Sequence, residues 1–264
     1  MGIRYISHEV VEYPEMKSIE IITHVYAIEY PQYAWLLAYQ LSSLALYPPK
    51  CRVNVAVCAL PGDLYVQEVI EYFYEHTDVR IREIELTYDN VGSRATSRNI
   101  AAKSTMADIV WFADADYLFR DGCLDYLSNE LDEWPVDVAI VYARHVWKSR
   151  EFEQGDELIR QMDDDLAVRD VEKKDFYNGL HNRAIGGMQI VPGFLARQFG
   201  YLDEPEYAKF HKPNNPFFSK STKEDVTYRK QLRRRTGRVE KELRVPNIYR
   251  IRHSESPFQV HVLS

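Results

Sequence analysis

Two aspartates, Asp114 and Asp116, follow a short apolar run and are the residues of this chain best suited to chemistry. The run, Ile109 to Phe112, is typical of a strand buried on both faces. A strand ending in Asp-x-Asp projects two acids from the carboxyl edge of a sheet, where open α/β sheets bind ligands. Neighbouring carboxylates repel each other, and Mg²⁺ or Mn²⁺, which prefers oxygen ligands and often retains a nucleotide phosphate, relieves that repulsion. The spacing also suits acids in a helix-capping loop, so it leaves both interpretations open.

Basic residues stand immediately before this acid pair. Arg94 and Arg98 are four positions apart, so they share one face of a predicted helix. That face could meet an anionic nucleotide, or it could be an ordinary solvated basic surface. Further on, Gly186 and Gly187 precede a short apolar strand, Met188 to Val191, where paired glycines permit a close approach to the backbone or form a bulge.

A second pair of acids, Glu224 and Asp225, is predicted at the start of a late helix that ends in arginines. The helix dipole favours acids in a first turn, so capping is a sufficient explanation for their position. Catalysis by one of them is the alternative.

Strands alternate with helices from Ile19 onward, which predicts an α/β fold with a mostly parallel sheet flanked by helices in a single domain. The predicted strands include Ile19 to Ile28, Val53 to Leu60 and Val79 to Leu86. Residues 148–183 are rich in charge and lack periodicity. They are interpreted as an insertion or a lid over a site, or as a plain solvated excursion.

Composition limits the classes of function. The 264 residues carry a net charge of −7, which argues against general binding to nucleic acid or anionic membranes. The three cysteines have no disulfide or zinc spacing, so a reducing compartment is expected. The N-terminal residues lack the apolar block of a signal peptide, and no apolar run could span a bilayer. The expected location is therefore cytoplasmic.

Taken together, the motifs resemble the family 2 glycosyltransferases of the GT-A fold. Four segments match in order: the strand and helix from Ile19 to Leu46; the letters SRN followed by the strand and Asp114-x-Asp116; Gly186-Gly187 with the phrase FGYLDE ending at Glu204; and Glu224-Asp225. Two departures stand out. In many members the second strand ends in an acid that contacts the nucleotide base, whereas here the nearest acid, Asp63, lies beyond a Pro-Gly turn. The first strand lacks the usual Pro-x-Tyr-Asn phrase.

The resemblance implies transfer of a sugar from a nucleotide-diphosphate donor, UDP being the expected nucleotide, to a hydroxyl of a glycan or other acceptor, with inversion. Residues 17–145 would form the donor-binding half and residues 184–264 the acceptor-binding and catalytic half. The implied donor-binding set is Tyr26, Arg94, Arg98, Asp114 and Gly187.

The same resemblance assigns the metal and the base. Asp116 would bind Mn²⁺ or Mg²⁺ directly, Asp114 would lie near the ribose and the metal, and His253 resembles a third ligand. Asp225, beside Glu224, would be the catalytic base.

Two other interpretations remain open at this stage. An apolar strand ending in Asp-x-Asp also suits the aspartyl nucleophile of haloacid dehalogenase-type phosphotransferases, although that class places its pair near the first strand. A non-catalytic sugar- or nucleotide-binding protein of the same fold is the third interpretation.

Overall fold

The computed structural model describes residues 17–28, 31–152, 166–202 and 218–253. They form a mixed α/β fold in which a large, mostly parallel sheet is flanked by helices, which confirms the predicted fold class. The strands are β1 (Ile19–His24), β2 (Val53–Ala59), β3 (Ile81–Glu85), β4 (Ile109–Phe112), β5 (Tyr117–Phe119), β6 (Val138–Ala143), β7 (His145–Phe152), β8 (Phe176–Leu180), β9 (Gln189–Pro192), β10 (Val239–Leu243) and β11 (Ile248–His253). The helices are α1 (Gln32–Leu46), α2 (Leu64–His76), α3 (Tyr88–Val91), α4 (Arg94–Lys103), α5 (Cys123–Glu130), α6 (Gly193–Phe199) and α7 (Phe218–Thr236), with a 3₁₀ turn at Lys173–Asp175.

The larger sheet has the strand order β10-β6-β9-β4-β1-β2-β3. Strand β1 lies between β2 and β4 and runs parallel to both, while β9 is antiparallel to β4 and β6. All residues of β4 are buried, as its apolar run predicts. The carboxyl ends of β1, β2 and β4 therefore meet at one edge, and the Asp-x-Asp pair lies there.

The first strand ends at His24, four residues earlier than predicted. Its continuation leaves the ladder because the carboxylate of Asp63 accepts hydrogen bonds from the backbone N–H groups of Ala27 (2.7 Å) and Ile28 (3.2 Å). Asp63 also caps α2 through Val66 N–H and is fully buried. Its oxygens are thus used to hold the loop after β1.

A second sheet, with the strand order β5-β11-β7-β8, was not anticipated. Strands β7 and β8 lie largely within residues 148–183, the segment expected as an insertion or excursion, so both ends of that segment are strands. Residues 153–165 lie outside the description, and a role for this segment as a lid stays a prediction. The sequence did not indicate these strands because charged side chains form one face of the small sheet and obscure the apolar pattern.

Helix α7 begins at Phe218, so no acid lies in its first turn. The prediction that Glu224 and Asp225 start this helix was therefore wrong. No glycine or proline stands between Phe218 and Glu224, and nothing in the sequence stops the helix from extending back over these residues. Dipole capping consequently does not explain the two acids. Within the described part of the chain, no helix is both long and apolar enough to cross a membrane.

Candidate active site

The acids of β4 and α7 meet at the edge of the sheet through one arginine. The guanidinium of Arg94 donates to Glu224 Oε1 (2.6 Å) and to Asp114 Oδ1 (3.1 Å), and its Nη2 lies 3.8 Å from Asp225 Oδ1. A single side chain from the first turn of α4 thus joins Asp114 to the neighbouring acids Glu224 and Asp225, which lie 110 or more residues further along the chain. Two charge-assisted hydrogen bonds to different elements fix this geometry more firmly than a surface ion pair would.

Arg98 lies one turn further along α4, on the same face as Arg94, and is fully buried. It donates to Asp114 Oδ1 (2.8 Å) and to the carbonyl oxygens of Gly186 (3.1 Å) and Ala113 (3.3 Å). These contacts place it beneath the acids rather than on a surface facing solvent. Its position suits holding Asp114, not direct contact with the base or the pyrophosphate of a donor.

Asp225 is held by a tyrosine that sequence reasoning did not single out. The hydroxyl of Tyr201, a residue with almost no exposure, donates to Asp225 Oδ1 at 2.9 Å. The other oxygen, Oδ2, lies 2.9 Å from the point where a side chain at Gly186 would begin, and Asp114 Oδ2 lies 3.5 Å from the same point. One oxygen of each carboxylate therefore lies within 3.5 Å of a single point beside Gly186, where any other residue would place its Cβ.

Asp116 is buried and has a different cationic partner, Arg250 on β11. Arg250 Nε donates to Asp116 Oδ2 at 2.8 Å, and His253 Nε2 lies 4.0 Å from the same oxygen. Among the described residues, Asp116 Oδ1 has no hydrogen-bond partner. A buried carboxylate oxygen without a donor is costly, and a cation relieves that cost.

The environments of the two aspartates move their pKa values in opposite directions. Burial would raise the pKa of Asp114, but Arg94 and Arg98 lower it to about 2. Burial raises the pKa of Asp116, and the charge of Asp114 adds to this, while Arg250 opposes both. Asp114 is therefore a firmly ionised acid, whereas the charge of Asp116 is only partly compensated.

The described residues contain no set of three His, Cys, Asp or Glu side chains that could hold a metal by themselves. Mg²⁺ is commonly held by one or two protein carboxylates together with substrate phosphates and waters, so a three-ligand set is not required. The unpartnered Oδ1 of Asp116 and the nearby imidazole of His253 fit a site of this kind.

The remaining predicted residues lie at the same edge in different settings. Tyr26 follows the end of β1 and is half-buried against the core. His24, at the end of β1, was not anticipated. Burial, and then the charges of Arg94 and Arg98, lower the pKa of His24 to about 3, so its ring is neutral near pH 7. It adds no positive charge beside Asp114.

The side chains around Gly187 leave no room for a Cβ atom at this position. A Cβ at this position would lie 2.3 Å from Tyr117 Cε2 and 2.9 Å from Asp114 Oδ2. Because the ring of Tyr117 is itself fully buried, we expect Gly187→Ala to lower the free energy of unfolding by about 3 kcal/mol, measured by urea denaturation. Gly237→Ala, at a residue with φ of +69° and no atom within 4 Å of its Cβ position, should cost only about 1 kcal/mol from backbone strain. Equal effects of the two substitutions would show that Gly187 is not sterically constrained.

Of the residues to which the sequence motifs pointed, the structure brings Arg94, Asp114 and Asp225 together, while Asp116 lies beside Asp114 and pairs with Arg250. Sequence reasoning missed Tyr201 and Arg250, the direct partners of Asp225 and Asp116. A signal was present for Tyr201, since it lies inside the FGYLDE phrase. Arg250 had none, because its contact depends on β11 pairing with β5.

Comparison with known proteins supports the fold. No protein-family model matches the chain, and no curated protein matches it. Among solved structures, TarS of S. aureus, residues 1–349 in complex with UDP, has a TM-score of 0.50 and 14% identity over 89% of this chain. A second structure of TarS residues 1–349 has a TM-score of 0.42 at 15% identity and covers 74% of this chain and 54% of that structure. A further TarS structure has a TM-score of 0.45 at 14% identity and covers 90% of this chain and 35% of that structure. The present chain spans 60% of the length of the UDP-bound structure. The protein thus shares the α/β fold of the UDP-bound TarS structure.

Proposed function

We propose that this protein is a metal-dependent glycosyltransferase that moves a sugar from a UDP-sugar to an acceptor hydroxyl with inversion. The observation that carries the proposal is the convergence of Asp114 Oδ2 and Asp225 Oδ2 on one point beside Gly186, with Asp116 next to Asp114. Inverting transfer by direct displacement needs a base on one side of the sugar and charge neutralisation of the leaving group on the other. The fold, and UDP as the ligand of the TarS structure, support the choice of donor.

Asp225 is suited to act as the base through Oδ2. Its Oδ1 already accepts from Tyr201, which leaves Oδ2 directed to the space beside Gly186. In the proposed step, the acceptor oxygen bonds to the anomeric carbon as its proton passes to Asp225 Oδ2. The bond from that carbon to the diphosphate oxygen breaks, and UDP leaves. Glu224 orients Arg94, which in turn fixes Asp114 relative to Asp225.

Asp116, with His253, would hold Mn²⁺ or Mg²⁺. When bound, the ion supplies positive charge that neutralises the leaving diphosphate. Arg94 and Arg98 both donate to Asp114 Oδ1, so the other oxygen, Oδ2, would contact the nucleotide-sugar donor. Arg98 contributes by positioning Asp114. Tyr26 and Gly187 stay as predicted neighbours of the donor.

A panel of UDP-sugars tests the proposal. We expect at least one donor to release UDP in the presence of Mn²⁺, and EDTA to abolish the release. A folded protein that binds UDP but releases none from any donor, with or without simple hydroxyl acceptors, would favour a non-catalytic nucleotide-binding protein. Release of inorganic phosphate from a phosphomonoester would favour a phosphotransferase instead.

A further inference from the structure

The small sheet carries a row of aligned side chains next to the acid pair. Arg250 on β11 pairs in register with Tyr117 on β5 and with Lys148 on β7, and Lys148 pairs with Tyr177 on β8. Side chains in register on neighbouring strands share a face. Arg250 also lies over the ring of Tyr117 (5.3 Å) and donates to Asp116, so this face continues into the candidate active site.

Lys148 has no ion-pair partner among the described residues, and its charged neighbours are cations. Burial, and then the charges of Arg250 and Arg252, lower its pKa. Its stem is directed over β8, because a Cβ at Gly179 would lie 2.6 Å from Lys148 Cδ. An ammonium held in repulsive surroundings costs stability. A bound anion would turn that cost into a favourable interaction.

His181 adds an unused polar atom to the same neighbourhood. It is 5% exposed, and among the described residues its Nε2 has no hydrogen-bond partner. Burial, and then the charges of Lys148 and Arg250, lower the pKa of His181 to about 4, so the ring is neutral near pH 7 and lies near both cations. By strand alternation from Gly179, it shares the face that Lys148 crosses.

We propose that Lys148, Arg250 and His181 form a subsite for a phosphoryl group of a substrate, beside Asp116. Two guanidinium or ammonium groups with an imidazole N–H match the oxygens of a phosphate. Arg250 donates to Asp116 through Nε, and its side chain is 30% exposed. By contrast, Arg94 is engaged by two carboxylates, those of Asp114 and Glu224, and Arg98 is buried among acceptors. The phosphoryl group could belong to the diphosphate of the donor or to a phosphorylated acceptor. The assignment to one of these two sources rests on the proposed transferase function, whereas the subsite itself does not.

The test compares two lysine variants by calorimetry with inorganic phosphate as the probe. Lys148→Met keeps the stem over Gly179 and removes the charge. Lys173→Met is the matched control, because Lys173 contacts Trp147 (4.9 Å to the ring centre), which points to the other face of the sheet. We expect Lys148→Met to weaken phosphate binding about tenfold and Lys173→Met to change it less than about twofold. No phosphate binding by the wild type, no loss in Lys148→Met, or an equal loss in both variants would overturn the subsite.

Folding is controlled by urea denaturation of the same variants. Because Lys148 has no ion-pair partner in the part of the chain that the structure describes and lies near Arg250, Lys148→Met should leave the free energy of unfolding unchanged or raise it. If Lys148→Met nevertheless fails to fold, Lys148→Gln replaces it in the same assay.

A second arm identifies the source of the phosphoryl group. If UDP with Mn²⁺ displaces phosphate and Lys148→Met also weakens UDP binding, the subsite serves the donor. If phosphate still binds to the UDP-saturated protein and Lys148→Met leaves UDP affinity unchanged, it serves a phosphorylated acceptor. If UDP binds to no variant while phosphate binding depends on Lys148, the subsite stands and the transferase proposal fails.

Discussion

Asp225→Asn is expected to lower the rate of sugar transfer about 10²–10⁴-fold while leaving the affinity for UDP within about twofold. The amide keeps the shape of the side chain and can still accept from Tyr201 at Oδ1. It cannot take a proton at the position of Oδ2. The loss should therefore fall on kcat, measured as release of UDP from the donor that the panel identifies, with UDP affinity measured by calorimetry.

The control for this variant is Glu240→Gln. Glu240 lies on β10, at one edge of the larger sheet. Its Oε1 is 3.1 Å from Nη1 of Arg229, which is on the same helix as Asp225. It should retain full transfer activity. Full activity of Asp225→Asn would exclude Asp225 as the base, and loss of UDP binding in that variant would indicate that the residue serves the donor instead.

Arg98→Met is expected to lower the free energy of unfolding by about 3 kcal/mol or more, because it leaves buried acceptors without their charged donor. Arg98 is fully buried and donates to Asp114, Gly186 and Ala113. Methionine leaves a partly buried carboxylate and two buried carbonyl oxygens without this donor. Urea denaturation monitored by tryptophan fluorescence measures the change.

Arg252→Met is the matched control for Arg98→Met. Arg252 pairs with Glu151 at 3.1 Å, and both side chains are about half exposed. Exposed pairs of this kind contribute about 1 kcal/mol or less. If Arg98→Met were as stable as Arg252→Met, the buried arginine would not be the support of the acid cluster.

The part of the site that depends on local pattern was predictable. The apolar run before Asp114 indicates a buried strand, and its position at the carboxyl edge follows from parallel pairing with β1. The four-residue spacing of Arg94 and Arg98 indicates a shared helix face, and both do contact Asp114 Oδ1. In each case a short stretch of sequence contains the whole physical argument.

The part that depends on long-range pairing was not predictable. Strand β11 contacts Asp116 because it pairs with β5 and β7, and no local pattern specifies that choice of partners. The charge and missing periodicity of residues 148–183 favour an insertion, a lid or a solvated excursion, yet β8 and most of β7 lie there, with Lys148 and Tyr177 on a polar face of the sheet. The charge of Lys148 and its neighbours therefore masked the strand pattern that aligns these side chains on the small sheet.

Titration of UDP into the wild-type protein, with and without Mn²⁺, tests whether Asp116 holds a metal ion that the nucleotide shares. We expect Mn²⁺ to tighten UDP binding about tenfold or more and Asp116→Ala to remove this difference, since Asp116 Oδ1, which has no hydrogen-bond partner among the described residues, is the oxygen assigned to the ion. Equal affinity for UDP in both conditions, or no binding in either, would contradict a metal-dependent UDP site.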